Sequence, residues 1–223
     1  MTIDQAKQLV DFITNKNQRG YSTGVQFNLL APIAQLSVLN DRLGNIKKYS
    51  SHDPVPAYGF NLNQKSRQEL KPVMKEPTTY AVTAGVVAFP ADLIYIDTVT
   101  NAANGKLIVE ATEDEIVLLN NSLITPPSTV YPKFVIHSNG FNIYPVTGIA
   151  NIKLSYIRKP ATPVWNYTLT NDREVYDASG SQDFELAETT HLEIVMLILQ
   201  NLGMNLTMTD VVQYAAAKEA QGA

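Results

Sequence analysis

PKFVIHSNGFNIYPV, residues 132–146, is the clearest local signal in the chain. Two runs rich in β-branched and aromatic residues flank Asn139-Gly140, a dipeptide that accepts the positive backbone angles of a type I′ turn, so the stretch predicts a β-hairpin. Strand-type sequence continues on both sides. Residues 80–83 and 86–89 flank Ala84-Gly85 as a second hairpin, residues 93–100 alternate around Tyr95, and residues 106–110 follow a turn at Asn104-Gly105. A short helix at 113–121 interrupts them, with Thr112-Glu113-Asp114-Glu115 as its capping box. A further strand at 150–157 stops at Lys159-Pro160.

Beyond these strands the period changes from two to 3.6. At the N-terminal end, Ile3, Ala6, Leu9, Val10 and Ile13 recur at helical spacing, and Thr2-Ile3-Asp4-Gln5 fits a capping box. A second box, Thr23-Gly24-Val25-Gln26, opens a helix that closes at Gly44, with Pro32 inside it as an expected kink. Two helices joined by a short loop predict an αα-hairpin. At the other end, DFELAETTHLEIVMLILQNL (183–202) predicts a helix from about Phe184 to Leu202, apolar nearly all round and therefore buried. Glu185 and Glu188 near its start favour its dipole. Gly203 breaks it, and a last, more polar helix follows from Thr207 or Thr209 to about Glu219.

Two segments lack a clear period. Residues 45–77 are polar and punctuated by Pro54, Pro56, Pro72 and Pro77, which predicts an extended arm or a long loop. Residues 161–182 read as an irregular connector holding the sole tryptophan, Trp165. The expected fold is α+β: an N-terminal αα-hairpin (1–44), an arm (45–78), a β-rich module with one short helix (79–182), and C-terminal helices (183–223) packing with the first ones as a helical layer.

Composition supports a globular core, with 45% hydrophobic and 17% charged residues. The absence of cysteine excludes disulfide scaffolds, thiolate zinc sites and cysteine nucleophiles. No apolar run is long enough to span a bilayer, and MTIDQAKQLVDF lacks the basic start and apolar block of a signal peptide, so neither a membrane partner nor Sec-type export is expected. The net charge of −4 is uneven. Residues 47–75 carry six basic groups against Asp53 and Glu69, whereas residues 76–223 hold seven basic and sixteen acidic groups. Such a gradient favours head-to-tail contact between copies or one face toward a polyanion; a solvated basic loop is the plainer alternative.

Catalytic vocabulary is sparse. His52, His137 and His191 lack metal-ligand spacing, and Glu188 with His191 makes a single i, i+3 pair where carboxylate-bridged metal sites need two. Glu113, Asp114 and Glu115 sit where a first helical turn places acidic residues for capping. No phosphate-binding glycine loop, nucleophile elbow or HExxH motif occurs. Tyr156, Trp165 and Tyr167 around Arg158-Lys159-Pro160 could stack single-stranded nucleic acid, anchor an interface, or pack the connector onto the sheet.

Six stretches, in order, resemble structural proteins of tailed phages of Bacteroidetes, including the crAss-like group. They are DFITNKNQRGYSTGVQFNLLAPIAQLSVLNDRLG (11–44), ELKPVMKEPTTYAVTAGVVAFPADLIYIDTVT (69–100), EATEDEIVLLNNSLITPPSTVYPKFVI (110–136), IKLSYIRKPATPVWNY (152–167), DFELAETTHLEIVMLILQNLGMNL (183–206) and VVQYAAAKEAQG (211–222). The resemblance implies a head-to-tail connector component, an adaptor or ring protein assembled beneath the portal within the virion. It implies copies of the chain arranged in a ring, commonly of twelve, with the portal protein and other tail or ring proteins as neighbours. DNA passes through the channel without sequence-specific binding, and no catalytic residue, metal or cofactor is implied. Tyr58, Phe60, Lys65 and Arg67 in the arm, with Trp165 and Tyr167 in the connector, are the expected inter-subunit contacts. Two rival functions are a β-rich receptor- or carbohydrate-binding tail module with aromatics on the 139–140 hairpin, and a cell-wall hydrolase using Glu185 or Glu113.

Overall fold

The computed structural model describes residues 1–16, 21–46, 57–138 and 140–202. His52, Pro54, Pro56, Asn139 and the expected last helix lie outside them. The described chain is α+β and divides into two compact units, Met1–Pro72 with Pro160–Ala223, and Val73–Lys159.

The first unit is helical. Helices α1 (Ile3–Lys16) and α2 (Gly24–Ile46) begin at the two expected capping boxes. Thr2 and Gln5 exchange backbone–side-chain hydrogen bonds of 3.0 and 3.3 Å, and Thr23 and Gln26 exchange bonds of 3.1 and 3.2 Å. Each box satisfies two N–H groups that a helix start leaves without partners. Pro32 lies within α2, which continues through it. Helix α5 (His191–Asn201) packs against both α1 and α2 and so bridges those two helices. The buried apolar set is Ile3, Ala6 and Val10 from α1, Phe27, Ala31, Ala34, Val38 and Leu39 from α2, and Ile194, Val195, Ile198 and Leu199 from α5. These recur at three- and four-residue intervals, the period of one helix face.

Three expectations for this unit change. Where an arm or loop was expected, residues Ala57–Leu70 form helix α3, which packs on α2 and ends in a 3₁₀ turn at Lys71–Val73. Its period is hidden because, from residue 64 on, two of its three buried positions, Ser66 and Glu69, are polar, with Leu70 the third. Pro54 and Pro56 precede this helix and Pro72 and Pro77 follow it, so the prolines bracket a helix instead of breaking one.

The connector is also ordered. Strands β8 (Tyr167–Thr170) and β9 (Arg173–Tyr176) form a hairpin. Its two loop residues, Asn171 and Asp172, have φ of 51° and 60°. Asn and Asp tolerate that left-handed region better than other non-glycine residues, which is why this turn needs no glycine.

The C-terminal helix begins at His191, not Phe184, after a 3₁₀ turn at Glu188–Thr190. Phe184 and Leu186 are buried, and the Glu185 N–H donates to Gln35 Oε1 of α2 at 3.0 Å, a partner that replaces helical hydrogen bonding there. Glu185 therefore does not serve that helix's dipole. Its Oε2 accepts from Ala161 N–H at 2.6 Å, and Glu193 is the acidic residue in the first turn of α5. Nor is α5 buried all round, since Leu192 and Met196 are exposed.

The second unit is two small sheets. One has the order β1 (Met74–Ala81), β7 (Asn151–Arg158), β3 (Leu93–Asn101), all antiparallel. The other has the order β2 (Val86–Ala88), β6 (Gly140–Tyr144), β5 (Lys133–His137), β4 (Val109–Glu110), with β4 and β5 parallel. Val87, Val99, Phe134, Phe141, Ile143, Ile152, Leu154 and Tyr156 form one apolar cluster drawn from both sheets. On β7 the alternation is plain: Ile152, Leu154 and Tyr156 are buried while Asn151 and Lys153 are exposed.

Two turns differ from the expected hairpins. At Ala84-Gly85, with φ of 50° and 78°, Thr83 and Val86 exchange two 2.9 Å backbone hydrogen bonds, but the flanking strands then part. β1 pairs with β7 and β2 with β6, so this turn passes the chain between sheets. In the 132–146 stretch, the hairpin is present but Gly140 pairs with His137, so Gly140 belongs to the strand and not to the turn. A Cβ on Gly140 would lie 2.2 Å from the Val87 carbonyl oxygen, so glycine is required there by the close approach of β2.

Helix α4 (Glu113–Asn120) carries the expected capping box, with Thr112 and Glu115 exchanging hydrogen bonds of 3.0 and 3.3 Å. A loop, residues 121–132, then leads into β5.

Candidate interaction surfaces

In the helical unit, Trp165 is a central fixed point of the connector and is only 5% exposed. Its ring stacks on Tyr167 and Tyr176, with centroids at 5.3 and 6.1 Å, and its Nε1–H donates to Asp4 Oδ1 at 3.0 Å. The Lys7 ammonium lies 5.2 Å from its ring and is held by Asp11 Oδ2 and the Ser22 carbonyl, each at 2.6 Å. Its backbone pairs with the Asn28 side-chain amide, which donates at 2.9 Å and accepts at 2.8 Å. Seven residues along the same face of α2, Gln35 donates to the Ala161 carbonyl at 2.9 Å. A helix thus completes the backbone pairing of a strand-like segment, as buried polar groups require. Gly24 permits this packing, because a Cβ there would sit 2.5 Å from the Tyr167 ring.

A second fixed point joins three helices. Arg42 of α2 donates through Nε to Glu69 of α3 at 2.6 Å, through Nη1 to Asp41 at 2.7 Å, and through Nη2 to Glu193 of α5. Burial opposes the guanidinium charge, but the Glu69 hydrogen bond and the charges of Glu193, Glu69 and Asp41 outweigh it and raise the Arg42 pKa further. Arg42 is therefore a permanent cation that accounts for the polar core position of Glu69.

The expected contact residues separate on this geometry. Trp165 faces inward, and Tyr167 is half-buried against it. Lys65 is exposed, with its ammonium 3.8 Å from Glu69, and Arg67 is exposed in the last turn of α3. Tyr58 and Phe60 lie in the first turn of α3.

Other outward surfaces are more apolar than these. On α2, Val25, Leu29 and Ile33 are exposed at i, i+4 and i+8, a stripe along one face. In the β unit, the loop after α4 presents Leu123 fully exposed and Ile124 at 90%, with Leu118 and Tyr131 also outward. A cavity of about 560 Å³ lies beside this loop, lined by Leu119, Ile124, Pro126, Pro127, Tyr131 and Lys133 among others. Large aliphatic side chains gathered on a surface mark interaction sites more often than isolated ones do. The sequence signal was there, since Leu123-Ile124 is an aliphatic pair within a run of Asn, Ser, Thr and Pro, where turn chemistry gives no reason for it.

The two described histidines lie apart from these surfaces. His137 Nε2 lies 3.5 Å from Glu113 Oε2, and the His191 ring nitrogens face the carbonyls of Met1 and Leu186 at 3.1 and 3.0 Å. Among the described residues, no group of three or more His, Asp or Glu side chains could hold a metal ion, and no helix is long and apolar enough to cross a membrane.

In the β unit, Tyr156 Oη donates to Asp92 Oδ1 at 2.9 Å. Burial, with hydrogen bonding to Tyr80 and Asp92, pushes its pKa well above the usual tyrosine value. The folded state holds this proton after the unfolded state has lost it, so the stabilisation is complete below about pH 10 and declines as pH rises above it. Urea midpoints measured from pH 8 to 11 are expected to fall above pH 10, and to fall less steeply in Tyr156→Phe; equal slopes would remove Tyr156 from this role.

No curated protein matches the chain in sequence. A family model described as SU10 adaptor protein matches residues 61–193, more than half of the chain, from α3 through both β sheets to the first turn of α5. The chain therefore belongs to the SU10 adaptor protein family, whose members are phage head–tail adaptors.

Proposed function

We propose that this chain acts in the virion as a non-enzymatic adaptor, with copies closed into a ring that extends the portal channel and joins head to tail. DNA passes through that channel without sequence-specific contact. The order of the six quoted stretches supports a phage of Bacteroidetes, of the crAss-like kind, as the source of this version of the adaptor. Twelve copies per ring is the number the resemblance favours.

The observation that carries the ring reading is the outward apolar surface present on each unit, the α2 stripe on one and the Leu123–Ile124 loop on the other. Two different surfaces on one chain can meet in a heterologous contact, and such contacts close into rings when the rotation allows. Glu185, one of two carboxylates considered for hydrolysis, is bonded to the Ala161 backbone, which supports a structural role for it. The arm residues Lys65 and Arg67 remain proposed inter-subunit contacts, with Tyr58 and Phe60 on the same helix. An image of the intact particle tests this reading through the symmetry and position of the chain.

A further inference from the structure

We propose that the cavity beside the α4–β5 loop seats an acidic, apolar segment of a different virion protein. A large apolar side chain of that segment fills the cavity, and a carboxylate beside it meets the Lys133 ammonium. This inference rests on the adaptor reading and names a surface by which the adaptor holds a neighbour that is not a copy of itself.

The walls dictate an apolar occupant. Leu119, Ile124 and Tyr131 line the cavity together with Pro126 and Pro127, which have no N–H to offer. The loop's serine hydroxyls are spent on the loop itself. Ser122 Oγ accepts from the N–H groups of Ile124 and Thr125 at 3.3 and 3.1 Å and meets the Thr125 hydroxyl at 3.0 Å. Ser128 Oγ accepts from the Tyr131 N–H at 3.2 Å. A cavity of about 560 Å³ whose wall is tied in this way loses little entropy on filling.

Two ammonium groups border it. Lys133 lines the cavity, is half-buried, and makes no hydrogen bond or ion pair among the described residues. The Lys106 ammonium lies over the Tyr131 ring, 5.8 Å from its centroid. The carboxylates of this region turn elsewhere. Glu110 pairs with Phe134, one position on from Lys133, and so points to the other face of the sheet. Glu113 meets His137, four residues along β5 and so about 13 Å from Lys133. Glu115 bonds Thr112 at the first turn of α4, whereas the cavity borders Leu119 in its last. A half-buried ammonium without a counter-charge favours an anionic occupant.

A second copy is poorly equipped to supply that occupant. In the helical unit, every described carboxylate next in sequence to a large apolar residue is bonded within the unit, from Asp4 on Trp165 to Glu193 on Arg42. In the β unit, Asp92 and Asp97 are bonded too, which leaves Val109 with Glu110 among the described residues. Val109 pairs with Lys133, so its use would set the cavity against its own image in a twofold contact, which a ring of heterologous contacts does not contain. Leu123 is fully exposed and does not line the cavity, so it stays available for contact between copies.

The test uses purified particles in which position 125, an exposed lining position, carries a benzophenone side chain. Photo-cross-links are mapped by peptide mass spectrometry. The expected cross-link joins position 125 to a different virion protein, at a peptide with Asp or Glu within two residues of a large apolar residue. Lys133→Met, which keeps an aliphatic stem, is expected to lower its yield at least tenfold at an unchanged melting temperature, and Lys133→Arg to retain it. A yield that Lys133→Met leaves unchanged, or a cross-linked peptide without a carboxylate, overturns the proposal. A cross-link to a second copy overturns the choice of partner. A chain seen in the connector that gives no cross-link overturns the site and leaves the adaptor reading standing. A chain absent from the connector overturns both.

Discussion

Trp165→Ala is expected to destabilise the helical unit by about 3–5 kcal/mol, the range for removing a buried tryptophan. The side chain is almost wholly buried, stacked on two tyrosines, and bonded through Nε1 to Asp4 of α1. Its loss opens a cavity where the β8–β9 hairpin, α1 and α2 meet, and leaves Lys7 without the ring beside it. The space cannot collapse easily, because the Trp165 backbone is pinned to Asn28 by two hydrogen bonds. Trp165→Phe keeps an aromatic ring but removes the Asp4 bond, and should cost about half as much or less. Urea unfolding followed by circular dichroism measures both. A loss below about 1 kcal/mol for Trp165→Ala would show that the connector is not anchored this way.

Arg42→Ala is expected to have an effect of similar size by a different mechanism. Arg42 and Glu69 side chains are 17% and 8% exposed, so removing the arginine leaves the buried Glu69 carboxylate with only the exposed Lys65 ammonium, 3.8 Å away, beside it. Breaking a buried pair from one side costs about 3–5 kcal/mol, much of it the unpaired charge that remains. The partner changes discriminate. In Arg42→Met with Glu69→Leu, no buried charge is stranded, and the loss should be much smaller than for Arg42→Ala alone. Asp41 and Glu193 are more exposed, and either change to alanine should cost under about 1 kcal/mol. If Arg42→Ala and the double variant unfold at the same urea concentration, the cluster contributes through packing and not through charge.

These two side chains also mark what was legible in the sequence and what was not. All three capping boxes could be read directly, because each is a local contract between residues three apart. The paired runs around His137 and Gly140 were equally local, although Gly140 lies in the strand and not in the expected turn, since the approach of Val87 from another strand sets where glycine is needed. Helix α3 was missed because its buried positions include Glu69, whose partner lies 27 residues away in α2. The start of α5 was placed too early because the Glu185 backbone finds Gln35, 150 residues distant, before it can find a helical partner. Local pattern cannot register a hydrogen bond whose other half is in a different element. Trp165 showed the same limit in its role: an aromatic beside basic residues can stack nucleic acid, anchor an interface or pack inward, and only the fold shows it buried and bonded to Asp4 of α1.

The adaptor role was legible in the order of motifs more than in any one of them. The family match runs from α3 to the first turn of α5 and so takes in all of the β unit. The apolar loop at Leu123-Ile124, inside that span, was not singled out by sequence because no periodic element contains it. Only its exposure shows that folding leaves those side chains outside.

The central claim is that this chain is a ring-forming head–tail adaptor, and the most direct measurement is an image of the intact particle at the portal vertex. The account predicts copies of the chain, twelve in the favoured case, in a closed ring between portal and tail, with the DNA path through its centre. Finding the chain at the distal end of the tail as isolated trimers or single copies would contradict it.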